Sequence, residues 1–146
     1  MNRQLNLRGK MMNRKMLFIP AGLWNLGIGF TGLFFHDFAM GLFFGAAAVT
    51  GDFLAVLMTR VVMLAIIIFG IGYLMAAYDP EKNHGVIILG LLSKFILFVI
   101  YTWYFVLDMA TILAFLTVLG DLFWGLLFIW FLLKGDTVSL NAEEKR

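Results

Sequence analysis

The stretch GVIILGLLSKFILFVIYTWYFVLDMATILAFLTVLGDLFWGLLFIWFLL, residues 85–133, decides the fold. Its only charges are Lys94, Asp108 and Asp121. As one helix rising about 1.5 Å per residue it would be roughly twice as long as the bilayer hydrocarbon is thick. It must therefore fold back on itself, and Asp108 marks where. The result is two antiparallel spans, at about 85–104 and about 109–133.

Working outward, residues 53–78 form another apolar run with a single charge, Arg60, and end at Asp79-Pro80-Glu81. Asp79 suits an N-cap and Pro80 a first helical position, so the next helix is expected to start just after them. Lys82, Asn83 and His84 complete a tight, wet turn, which makes the flanking spans adjacent and antiparallel. Residues 16–35 carry no charge and form the first span. A basic segment before an apolar run also describes a signal peptide, but this run is long for that role and no polar mature domain follows. Residues 38–51 are apolar, Gly-rich and Ala-rich. As a helix they reach only about 21 Å, short of a core about 30 Å thick, so they read as interfacial or re-entrant. The expected fold is all-α: a four-helix transmembrane bundle, one integral membrane domain over residues 1–146.

Composition agrees. Hydrophobic residues make up 62% and charged residues 14% of the chain, with a mean hydropathy of +0.94. A soluble domain has about 45–50% apolar and about 25% charged residues. The excess exceeds what a core of this size can hold, so the outer surface is apolar too and the lipid bilayer is a partner. The net charge of +2 reads as topology and not as nucleic-acid binding. The chain has no cysteine, which removes disulfides, thiolate nucleophiles and Cys-ligated metals.

Arg3, Arg8, Lys10, Arg14 and Lys15 precede the first span, Lys82 lies in the 79–84 turn, and Lys134, Lys145 and Arg146 follow the last span. The stretches around Asp37, Asp52 and Asp108 hold no Lys or Arg. The positive-inside rule then makes both termini cytoplasmic, in keeping with four crossings.

The remaining charges lie at membrane depth, where a lone charge is costly and has to pair, face a wet cavity or serve a function. Lys94 and Asp121 each lie about 18–20 Å from the outer ends of consecutive antiparallel helices. They are expected to pair inside the bundle. Such a pair either fixes helix register or forms a titratable or ligand-anchoring site. Trp124 lies one turn from Asp121, where it packs or covers a cation or ligand. In the first span Gly22, Asn25, Gly29 and Gly32 share one face, a helix-contact face with a single amide. Asn25 either hydrogen-bonds across helices or lines a cavity, and Tyr73 lies at a similar depth as a candidate neighbour. Arg60, roughly 10 Å from the outer edge, either snorkels outward or pairs with Asp52, Asp108 or Asp121.

Enzyme signatures are weak. His36 and His84 fall on opposite sides, which does not suit a bis-His haem, and no H-E-x-x-H zinc motif occurs. Ser93 and Lys94 point about 100° apart on a helix, so adjacency does not make them a dyad. No cofactor is implied.

The segments Gly70-Ile-Gly-Tyr-Leu-Met-Ala-Ala-Tyr-Asp-Pro80, Gly90-Leu-Leu-Ser-Lys94 and Asp121-Leu-Phe-Trp124 resemble small bacterial four-helix membrane proteins, broadly DoxX-like. The resemblance implies a bundle in the bacterial inner membrane. DoxX relatives are linked to quinone and sulfur redox chemistry, but no residue here carries that over. Two roles follow: a non-enzymatic accessory or interaction bundle, as a homodimer or in a larger membrane complex, or a small transporter or ligand-binding protein centred on Lys94 and Asp121.

Overall fold

The computed structural model describes the backbone of residues 2–143 and the side chains of residues 16–133. Among these residues every regular element is a helix: α1 (Asn2–Phe34), α2 (His36–Phe44), a 3-10 turn (Ala46–Ala48), α3 (Phe53–Tyr78), α4 (His84–Val106) and α5 (Ile112–Glu143). Four segments are long and apolar enough to cross a membrane: Met16–Phe34 of α1, all of α3 and α4, and Ile112–Leu133 of α5. α2 has nine residues, too few to span at about 1.5 Å each. The fold is a four-helix bundle with lipid-facing walls. The ends of the apolar runs are not the ends of helix: α1 is helical from Asn2 and α5 continues to Glu143.

The connections follow from local chemistry. Asp52 caps α3 by accepting from the Ala55 N–H at 2.8 Å. α2 stops at Gly45, whose φ of +84° favours glycine. The α4–α5 turn is stronger than its sequence suggests. Asp108 adopts φ 57°, a left-handed conformation that Asp tolerates better than most residues, and the Met109 N–H donates to the Tyr104 carbonyl at 2.9 Å.

One expectation is corrected. Asp79 does not cap α4, which begins at His84. Its carboxylate accepts from the Lys82 N–H at 3.2 Å and closes the turn itself. The Asn83 amide donates to the Asp79 carbonyl at 2.7 Å and the Met75 carbonyl at 3.3 Å, tying off the end of α3. These bonds occupy the residues that would otherwise form a first helical turn.

In lipid no hydrophobic force draws helices together, so close packing and small residues decide which pairs form. α1 lies tightest on α3. A Cβ at Gly29 would fall 2.6 Å from Ile67 Cγ1 and 3.0 Å from the Met63 carbonyl, and one at Gly22 would fall 3.0 Å from the Gly70 carbonyl. The glycine face of the first span is thus the α1–α3 contact. α4 packs on α5, where Gly125 admits Leu91 and Phe95. The end of the bundle nearest the chain termini is sealed by Phe18, Tyr73, Ile87 and Phe128, all fully buried. Phe18 and Tyr73 place their rings 5.2 and 5.0 Å from that of Phe128. α3 meets α4 at this end too, where Gly72 receives Val86. Beyond it the four helices line a cavity.

Candidate functional site

Lys94 and Asp121 meet inside the bundle. Lys94 Nζ donates to Asp121 Oδ1 at 2.5 Å, a short charge-assisted hydrogen bond, and to Asn25 Oδ1 at 3.2 Å. Each helix contributes through its own pattern. On α5, Ala114, Val118, Asp121, Gly125 and Phe128 form one buried stripe at spacings of three and four. A Cβ at Gly125 would lie 3.8 Å from Lys94 Cβ, and this close approach brings the two charges together. On α1, the face that packs on α3 also directs Asn25 inward, where it is 7% exposed.

Both partners are buried, the acidic one less completely. The Lys94 side chain is 3% exposed and that of Asp121 is 12%. Only Oδ1 of Asp121 takes part in a hydrogen bond among the described residues, which leaves the Oδ2 edge open. Of the three N–H groups on Lys94, two are engaged. Its ammonium also lies 5.5 Å from the centre of the Tyr73 ring, within cation–π range. Tyr73 itself is fully buried over Gly90. Mutual pairing, with Asn25 as a second acceptor, lowers the cost of both charges at membrane depth.

The pair forms the floor of a cavity of about 330 Å³. Asn25, Ser93, Lys94, Thr117 and Asp121 gather at its polar end, and apolar side chains of α3 and α4 line most of the rest. The Ser93 hydroxyl donates to the Gly90 carbonyl at 2.9 Å. At the far end α2 forms a cover, with Phe43 and Phe44 lining the cavity. Thr111 holds this cover down. Its hydroxyl donates to the Leu42 carbonyl at 2.8 Å or that of Phe43 at 2.9 Å, and its N–H donates to the Phe43 carbonyl at 2.9 Å.

Of the residues singled out in the sequence, Lys94, Asp121 and Asn25 share one hydrogen-bonded site, with Tyr73 beside it. Asn25 takes Lys94 as its partner and not Tyr73. Arg60 stands apart: it is exposed, forms no ion pair among the described residues and does not line the cavity. It lies seven residues into α3, near enough to that end for its long side chain to snorkel. Trp124 packs half-buried against the core, its ring 5.4 Å from that of Phe123, and also lies outside the cavity. Sequence reasoning missed Thr111, Phe43 and Phe44. The only signal was Thr111, a hydroxyl in the turn before α5. Tyr101 also lines the cavity, with its ring 5.8 Å from that of Phe44. No protein-family model, curated protein or solved structure matches the chain.

Proposed function

We propose that the protein is a non-enzymatic, multi-pass protein of the bacterial inner membrane, both termini cytoplasmic, whose bundle binds a small molecule above Lys94 and Asp121. One observation carries this reading: the buried ion pair is the floor of a cavity. A pair that only fixed helix register would serve equally well in a filled core. Ligand pockets typically span about 300–1,000 Å³ and combine apolar walls with a few placed polar groups. A cavity of about 330 Å³ with its charged groups at one end fits that description. The aromatic seal at the terminal end supports binding from the membrane or from the α2 side, and transport through so thin a bundle would favour a homodimer.

Organic extraction of the protein purified in mild detergent tests this. A small molecule should be recovered at about one per chain from the wild type. It should be absent from Thr117→Trp, which fills the cavity from its wall. A wild-type protein that carries nothing would refute ligand binding and leave an accessory or interaction bundle with a static ion pair.

A further inference from the structure

The walls of the cavity are unequal, and their inequality identifies the ligand's route and class. The terminal end is closed by the buried rings of Phe18, Tyr73 and Phe128. The opposite end is closed by α2, which Thr111 holds in place. The α1–α3 seam is closed by glycine contacts, and on the α1–α5 seam Trp24 lies over Gly120, where a Cβ would fall 2.7 Å from its ring. On the α4–α5 seam Phe105 and Phe115 stack with centroids 4.7 Å apart.

The α3–α4 seam differs. Val62 of α3 and Ile96 of α4 both line the cavity, yet they are 51% and 49% exposed on the outer surface of the bundle. Ala65, one turn from Val62 on α3 and also exposed, lines it with only a methyl group. A residue that both lines a cavity and faces outward is the rim of an opening. This rim is apolar and lies on a membrane-spanning wall, so it faces hydrocarbon.

Building on the ligand-site reading, we infer that the cavity is filled sideways from the bilayer, through the α3–α4 seam, by a neutral single-chain amphiphile whose hydroxyl or amide donates to the open edge of Asp121. Neutrality follows from the floor. Lys94 and Asp121 already balance each other, and a charged ligand would leave a net charge at membrane depth. The donor follows from exposure, because the carboxylate is the more open partner and has an oxygen edge free of hydrogen bonds. A single chain follows from size, since about 330 Å³ lies at the small end of the ligand-pocket range.

Photolabelling of the full chain in phosphatidylcholine vesicles tests the inference. The probe is 1-hexadecanol carrying a mid-chain diazirine, with its methyl ether as the donor-free control. Adducts should fall on cavity-lining residues of α3 and α4. The ether should label about tenfold less, as expected for losing a hydrogen bond to a charged group. Val62→Trp/Ile96→Trp should reduce alcohol labelling at least tenfold without lowering the unfolding midpoint, because both side chains are half-exposed. Ala65→Phe, in the same seam, should act in the same direction if the double variant folds poorly. Undiminished labelling of the folded blocked variants would overturn the lateral route while leaving the ligand site intact. Equal labelling by ether and alcohol would overturn the donor assignment. A wild type that takes neither probe, yet still yields a co-purifying water-soluble molecule, would overturn the amphiphile class. A wild type that takes neither probe and yields no molecule would overturn the ligand site itself.

Discussion

Lys94→Met and Asp121→Leu, separately and together, form the most informative perturbation of the bundle. The structure fixes what each change leaves behind. Lys94→Met strands the Asp121 carboxylate, and Asp121→Leu strands an ammonium whose side chain is 3% exposed. Breaking a buried pair on one side costs about 3–5 kcal/mol, whereas replacing both partners by apolar groups of similar volume is often neutral or stabilising. The double variant has one further loss: Asn25 Oδ1 no longer accepts from Lys94. An unsatisfied buried acceptor costs about 1–3 kcal/mol. The singles should therefore sum to about 6–10 kcal/mol and the double should cost about 1–3 kcal/mol, a coupling of at least about 3 kcal/mol. The assay is unfolding of the purified protein in mixed micelles of rising denaturing-detergent fraction. Additive singles, or a double less stable than either single, would refute the view that these charges are held by each other.

Gly27 and Gly29 give a matched comparison on α1. A Cβ at Gly27 meets nothing within 4 Å, whereas one at Gly29 meets Ile67 Cγ1 at 2.6 Å and the Met63 carbonyl at 3.0 Å. In the same unfolding assay Gly27→Ala should gain up to about 1 kcal/mol from helix propensity, and Gly29→Ala should lose about 1–3 kcal/mol from overpacking, with equal effects counting against the α1–α3 contact. In the turn, the Asp79 carboxyl is held below its ordinary range, first by the Lys82 backbone N–H and further by the Lys82 side chain. A carboxyl whose folded pKa is depressed stabilises the fold above its unfolded value, about 3.9 for a free Asp, and loses that contribution as pH falls through the lower folded value. Unfolding midpoints should fall in acid in the wild type and fall less in Asp79→Asn; identical pH profiles would contradict this. The cysteine-free chain allows single-cysteine labelling with a membrane-impermeant thiol reagent. Cysteine at Asp108 should react in intact cells and cysteine at Lys82 only after permeabilisation, and the reverse pattern would invert the orientation.

The fold was legible where length and charge alone decided it. The 85–133 run could not be one helix, and the depths of Lys94 and Asp121 matched because both are counted from one turn. Depth does not fix which way a side chain points around its helix. Depth places Asn25 near Tyr73, and both flank the Lys94 ammonium, but depth alone does not single out Lys94 as the hydrogen-bond partner of Asn25. Asp79 misled for a related reason: its carboxylate serves a turn as readily as a helix start, and Asn83 decided between them from four residues away. Arg60 was legible as an alternative only, since snorkelling and pairing demand the same residue at the same depth. The cavity could not be read from the sequence at all. It depends on α3 and α4 touching at one end and diverging beyond it, and on α2 folding over the gap.

Native mass spectrometry of the intact protein released from mild detergent bears most directly on the site. If Lys94 and Asp121 anchor a ligand, the wild type should carry one small-molecule mass per chain, and the folded Lys94→Met/Asp121→Leu variant should carry none. The same adduct at the same occupancy in both proteins, or a wild type with no adduct, would contradict a ligand site at this ion pair.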